Sequence, residues 1–331
     1  MTEINPLPLF WAGIIGFFIV MYVVLDGFTL GIGLLLSLLT KEESSIAQSV
    51  ILPTWDGNQT WLVLGGASLY GAFPVAFATL LPIFYAPIIV MILALLLRGV
   101  VFEFRLKTAN PKRWDIVFTM ASLIVILCQG VLLGNFIQGF KEINGQLSSA
   151  HMITPFVCLC AVGIMVGYSL LGSTRLILKT TGSLRDKMYR VSKILSWGVI
   201  ILLGVVSIYT PYIDSHIYSR WFAQGHWVYL FILPYLSGLL FLGLQISLYK
   251  RIDNLPFYAS ICIFICGYIG FIISIFPYMI PYQKTIWQCA SPDNTLTFLL
   301  FGTVLMIPIL LIYTGYAYHI FKDKVTDVIS Y

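Results

Sequence analysis

The stretch WDGNQTWLV, Trp55 to Val63, sets an aspartate, a glycine and two amides between two tryptophans, and no further charge follows until Arg98. A carboxylate followed by amides is suited to proton entry, because Asp56 can titrate while Asn58 and Gln59 hold waters in line beyond it. The same aspartate suits a helix N-cap, accepting from the otherwise unpaired amides of Asn58 and Gln59, and the two roles are compatible. Trp55 and Trp61 are expected to anchor this segment at a membrane interface.

A second acid lies deeper. Asp26 sits in MYVVLDGFTLGIG, inside an apolar run, with Gly27 and Gly31 spaced for close approach by another helix. A carboxylate in hydrocarbon costs about 2.5–3.5 kcal/mol on insertion scales, so its retention points to an ion or proton path or to a bond that fixes helix packing. Arg98, in LLLRGVVFEFR, is expected to snorkel to the interface, with pairing to Asp56 or to a partner's acid left open.

Other chemistries find little support. Cys158 and Cys160 point apart on a helix, and Cys262 and Cys266 lack two further zinc ligands, so the six cysteines are expected to pack. No phosphate loop or nucleophile motif occurs. His151, His216, His226 and His319 all fall near expected span ends, which argues against a haem held by this chain alone. No cofactor or metal is expected here.

These residues need a membrane bundle to position them. The 331 residues are 59% hydrophobic and 10% charged, with mean hydropathy +0.91, outside the range of soluble domains. Continuous apolar runs of roughly 20 residues predict transmembrane helices, since barrel strands would alternate. The expected fold is therefore all-α and polytopic, one integral membrane domain over residues 1–331. Nine helices are expected, at about 10–39, 53–77, 80–101, 116–137, 152–178, 194–212, 228–249, 257–280 and 296–321, with Pro74 and Pro82 bracketing the turn between the second and third. The opening MTEINPLPLF lacks the basic region of a signal peptide, so the first span is expected to be retained.

Nine crossings place the termini on opposite sides. With the N-terminus outside and the C-terminus cytoplasmic, 16 of the 19 Lys and Arg fall inside, leaving Lys141, Arg220 and Lys284 outside. Topology thus accounts for the net charge of +5 without a nucleic-acid partner.

WDGNQTWL, preceded by LDGFTLGIG and followed by LLLRGVVFEFR, resembles subunit II of the cytochrome bd-type quinol oxidases, including the cyanide-insensitive branch. LKTTGSLRDK and IYTGYAYHIFKDKV are similar to segments at corresponding places in that family, so the resemblance runs through nearly the whole chain. It implies two four-helix bundles plus one extra helix, in a bacterial cytoplasmic (inner) membrane. It also implies a heterodimer with a subunit I that carries two haems b and one haem d. The complex would oxidise ubiquinol or menaquinol and reduce O2 to water, electrogenically, with protons from the cytoplasm. A small accessory subunit, and a structural quinone or lipid among the aromatics, complete the expected partners.

The resemblance assigns Asp56 to a hydrated path from the cytoplasm toward the partner's haems. Together with the polarity and depth of the residues themselves, this places Asn58, Gln59 and Asp26 as expected members of the path, with Thr29, Trp55, Trp61 and Arg98 in support. Thr29 marks a departure: the family commonly has a second aspartate in an LDGFDLG pattern, and a threonine can relay a hydrogen bond but cannot hold a negative charge. A purely structural scaffold and a stand-alone proton or solute transporter are the competing readings.

Overall fold

The apolar runs form helices whose ends are set by proline and by capping side chains. The computed structural model describes residues 5–105, 107–108, 110–143, 146–148, 152–222 and 231–325. The first helix, α1 (Pro6–Leu35), starts where the Asn5 side chain accepts from Leu7 N–H, and it ends in a 3-10 turn, Leu36–Leu38. Next come α2 (Lys41–Ile51), α3 (Trp55–Ala72), α4 (Pro74–Ile83), α5 (Tyr85–Arg105), α6 (Pro111–Gln138) and α7 (Pro155–Lys179). The remaining helices are α8 (Gly182–Tyr209), α9 (Ser215–Phe222), α10 (Ile232–Lys250), α11 (Leu255–Ile275), the single turn α12 (Ile286–Cys289) and α13 (Asp293–Ile320). Two short antiparallel ribbons, Lys141–Ile143 with Gln146–Ser148 and Tyr278–Ile280 with Lys284–Thr285, are the only strands among the described residues.

Eight helices among the described residues are long and apolar enough to cross a membrane: α1, α5, α6, α7, α8, α10, α11 and α13. The expected second span corresponds to α3, which is 18 residues long but carries Asp56, Asn58 and Gln59 in its first turns and is not among the eight. Its continuation to residue 77 is broken at Phe73, where Pro74 opens α4, and Pro82 lies inside α4 instead of in a turn. The expected sixth span starts twelve residues early, at Gly182, because the amphipathic stretch LRDKMYRVSK stays helical beyond the apolar run. The first turns of the expected seventh span, residues 228–230, lie outside the described residues.

Residues 40–52, expected as a loop, hold α2. A capping box opens it: the Thr40 hydroxyl accepts from Glu43 N–H and the Glu43 carboxylate accepts from Thr40 N–H. Asp115 of α6 then pins the helix by accepting from Ser44 Oγ (2.8 Å), Gln48 Nε2 (2.6 Å) and Arg105 Nε (2.6 Å). Lys187 of α8 reaches Glu43 at 2.9 Å. Partial burial works to raise the Glu43 carboxyl, but the Thr40 amide and the charged Lys187 outweigh it and hold it below its ordinary value.

At the centre, α1 packs on α3, α6 and α7. The glycines set that closeness: a Cβ at Gly31 would stand 1.7 Å from the Tyr168 carbonyl oxygen, and one at Gly172 would stand 2.5 Å from Ile32 N. The helix that approaches Gly27 and Gly31 is therefore α7. Basic residues gather at one end of the bundle, where α1 finishes and α3, α8 and α11 begin; there Arg185 meets Asp253 at 3.2 Å and Arg251 meets Asp186 at 3.0 Å. At the other end Asn5 donates to Asp293 (2.7 Å) and Trp287 Nε1 donates to Asn5 O (3.0 Å).

Candidate functional site

The site is built where the start of α3 crosses the last third of α1, at the basic end. Asp56 is not the N-cap. Thr54 holds that position without a side-chain cap bond, because the turn after α2 starts the helix one residue before Trp55. Asp56 sits in the first turn, exposed, and accepts from Gly57 N–H at 2.8 Å. It stands at the lip of a shallow cleft between α3 and the end of α13, with Thr54, Asn58, Tyr313 and Tyr318 on its walls. About 10 Å³ there is open to the centre of a water molecule, room for about one water.

Asn58 forms the floor. It is 1% exposed, and its amide faces both ways: Tyr318 Oη donates to Asn58 Oδ1 at 3.0 Å, and Asn58 Nδ2 donates to Leu25 O at 2.8 Å. Thr29 Oγ1 lies 3.5 Å from the same Nδ2, so the floor of the cleft touches α1 one turn from Asp26. Gln59 points elsewhere; its Nε2 is buried with no hydrogen-bond partner among the described residues.

Asp26 is fully buried and bound to Arg98 of α5. The guanidinium donates twice, Nη1 to Oδ2 at 3.0 Å and Nη2 to Oδ1 at 3.1 Å, and both side chains are 0% exposed. Arg98 therefore does not snorkel: it lies two turns inside α5, with its Cζ 5.4 Å from the Phe118 ring centroid. A bidentate pair is the strongest form of charge pairing available to a carboxylate. Tyr22 lies against the same carboxylate and accepts from Gln129 Nε2 (2.9 Å), whose Oε1 accepts from Tyr168 Oη (2.8 Å). The polar cluster thus ties α1 to α5, α6 and α7.

The two tryptophans part company. Trp55 stacks on Phe102 at 4.9 Å and packs closely on Gly99, where a Cβ would be 3.1 Å from its ring and would push it by a few tenths of an ångström. Trp61 is 1% exposed, edge-on to Phe17 at 5.8 Å and tilted against Phe18 at 6.0 Å, and so belongs to the core instead of an interface.

The fold also assembles residues with no linear motif. Arg175 of α7 is 7% exposed and sits over three rings, those of Phe28 (5.1 Å), Phe257 (5.1 Å) and Tyr318 (5.2 Å). One turn on, Lys179 donates to the carbonyls of Phe321 and Asp323, just past the end of α13. Outside the bundle Asp253 accepts from Tyr189 (2.7 Å), Arg185 (3.2 Å) and Lys324, which fastens the chain after α13. Partial burial works to raise the Asp253 carboxyl, but Lys324, Tyr189 and Arg185 together hold it below its ordinary value.

His216 is exposed and bonds Asp214 at 2.8 Å, and His319 is exposed, so neither faces the bundle as a haem ligand would; His151 and His226 lie outside the described residues. Among the described residues no three His, Cys, Asp or Glu side chains converge as a metal site.

The model of the cytochrome bd terminal oxidase subunit II family matches residues 7–321. The chain belongs to that family. It is 27% identical to a probable cytochrome oxidase subunit 2 of Haemophilus influenzae, covering 96% of this chain and 95% of that one. It is 25% identical to the cytochrome bd-I ubiquinol oxidase subunit 2 of Escherichia coli K12, over 98% and 97% of the two chains, and 24% identical to the cytochrome bd ubiquinol oxidase subunit 2 of Bacillus subtilis, over 96% of each. The fold is similar to a chain of the bd oxidase from Geobacillus thermodenitrificans, with TM-score 0.81, 15% identity and coverage of 96% and 99%. The chain is thus an integral membrane protein and a subunit of a terminal oxidase.

Proposed function

We propose that this chain pairs with a haem-bearing subunit I in a bacterial inner membrane and supplies the entrance of the proton path for O2 reduction. The haems, expected as two b and one d in the partner, would carry the electrons from ubiquinol or menaquinol to O2. This chain's residues would handle the protons. The observation that carries the reading is the cleft: an exposed carboxylate at its lip, a buried amide at its floor, and that amide in contact with α1 one turn from a buried acid.

Asp56 binds a proton from the aqueous side and gives it to water in the cleft. Asn58, which cannot hold the charge, orders the hydrogen bonds across the floor. Gln59 holds a buried Nε2 without a hydrogen-bond partner among the described residues, a donor that only a water inside the bundle could meet. Asp26 is the inner station, and its protonation requires Arg98 to shift, because both carboxylate oxygens accept from the guanidinium, whose Nε is buried without a partner among the described residues. The bidentate pair also favours a second reading for Asp26 alone, that it is a structural strut between α1 and α5.

The finer topology follows the same reading. Counting α3 as a crossing gives nine spans, two four-helix bundles and one extra helix, with the N-terminus outside and the basic end cytoplasmic. Support comes from the two ends of α3, which meet opposite ends of the bundle: Asn58 bonds Leu25 O, and Ala72 O accepts from Ser291 N at 2.9 Å. A quinone or lipid filling an aromatic groove, and a small accessory subunit, belong to the same expectation.

The test is Asp56→Asn in the assembled complex. Quinol-driven oxygen consumption is expected to fall about 100-fold, the lower end of what one positioned proton-transfer group contributes, at parental haem content. Parental turnover would overturn the entry role, and haem content falling in step with activity would favour a scaffold.

A further inference from the structure

Arg175 is a cation nearly sealed inside the bundle, and among the described residues no carboxylate lies within ion-pair distance of it; its Nε is buried with no hydrogen-bond partner. Apolar packing alone would be served better by leucine or methionine, which carry no desolvation cost, so a buried, unpaired guanidinium calls for a reason. What it touches supplies one. Its planar group lies over Phe28, Phe257 and Tyr318, and of these rings only Tyr318 carries a polar atom.

That polar atom is the hydroxyl bonded to Asn58 Oδ1 on the floor of the Asp56 cleft. Tyr318 is therefore held by the guanidinium and the edge of Phe28 at its ring (centroids 6.5 Å apart) and by the amide at its tip. Its helix is held as well. Lys179, on the same face of α7 as Arg175, takes the carbonyls of Phe321 and Asp323, and Val325 N–H donates to Lys179 O at 2.8 Å. Two cations thus meet the C-terminal, carbonyl-bearing end of α13, where positive charge is favoured. With Oδ1 engaged by Tyr318, the Asn58 amide has to aim its Nδ2 inward at Leu25 O and Thr29.

The geometry points to Tyr318 as the hydroxyl that orders the floor of the proton entrance, and to Arg175 as the positioning residue that holds its ring. This rests on Asp56 being the entrance, and it adds what neither aspartate provides: a fixed hydroxyl between the cleft and the interior amide. Lysine cannot replace the guanidinium here without losing the flat contact with the rings.

The experiment uses the assembled complex and measures quinol-driven oxygen consumption in H2O and D2O for the parent, Y318F, R175K, R175L and Y318F/R175L, with haem content as the assembly control. Y318F is expected to slow turnover about tenfold, the upper end of what one ordering hydrogen bond contributes, and to raise the solvent isotope effect. R175L is expected to slow turnover about threefold in the parent and not at all on the Y318F background, since residues acting through one group are not additive. If R175L fails to assemble, R175K carries the same cycle; if neither assembles, Arg175 is a structural residue and the inference falls. An undiminished Arg175 effect on the Y318F background overturns the positioning role. Y318F at the parental rate while Asp56→Asn is slow overturns this inference alone. Asp56→Asn at the parental rate overturns the entrance, and this inference with it.

Discussion

The two aspartates that begin their segments with the same Asp-Gly pair live in opposite surroundings. Asp26 is 0% exposed and locked twice to Arg98, inside a polar cluster drawn from four helices. Asp56 is exposed, accepts from the amide of its neighbour Gly57, and faces a cleft with room for about one water. The difference teaches where a proton can be gained cheaply. An exposed carboxylate exchanges with solvent at little cost, whereas protonating Asp26 would strand a buried guanidinium. On the proposed reading uptake begins at the rim, and the interior acid ties α1 to α5 through Arg98.

The sharpest way to break this comparison is to remove Arg98. Arg98→Leu leaves Asp26 as an unpaired buried charge and is expected to cost about 3–5 kcal/mol, seen as loss of assembled, haem-containing complex; Asp26→Leu with Arg98→Leu should recover most of it. Were Arg98→Leu to assemble normally, the interior pair would not be the strut described. Removing Asp56, by contrast, should leave assembly unchanged within about 0.5 kcal/mol, the range of exposed substitutions.

Asn58→Leu falls between the two. It deletes the bond from Tyr318 and one of the bonds to Leu25 O, which still accepts from Thr29 Oγ1 at 3.4 Å, at a cost of about 0.5–1.5 kcal/mol per bond, and should lower oxygen consumption more than it lowers haem content. Equal losses would make the cleft floor structural and erase the distinction between rim and interior.

The smallest effect is expected furthest from the site. Asp253 and Glu43 both titrate below their ordinary values in the folded protein, so the stability they lend is fully present above the unfolded carboxylate pKa of about 4 and is lost as pH falls through their lowered folded values. Hydrogen exchange of residues 321–325 should accelerate only in that acid window, and in Asp253→Asn it should be fast at neutral pH already.

Most helices were legible from apolar runs alone, because a membrane leaves the backbone no other open choice. The errors fall where polarity and helix propensity disagree. LRDKMYRVSK reads as extramembrane by its charges yet continues α8, and KEESSIAQSVI lacks an apolar run and reads as a loop although Thr40 and Glu43 spell a capping box. At the site, Asp56 and Asp26 stood out because a lone acid in an apolar run needs a reason. The same rule would have matched Asp26 with Arg98, the lone base of LLLRGVV, had charge balance inside the bilayer been weighed against snorkelling. Tyr318, Tyr22, Gln129 and Arg175 had no such signal. Their roles depend on which faces of distant helices meet, and the apolar pattern of a helix buried on several sides does not encode a face.

The central claim is that protons for O2 reduction enter at the rim where Asp56 stands. It is tested most directly by reacting the fully reduced complex with O2 in vesicles that report pH on one side at a time, following haem absorbance and proton uptake together in the parent and in Asp56→Asn. The account predicts uptake from the side bearing the basic end of the bundle. In Asp56→Asn, uptake and the haem steps that depend on it should be delayed about 100-fold while the first, proton-independent haem step keeps its rate. Uptake from the opposite side, or unchanged timing in Asp56→Asn, would contradict it.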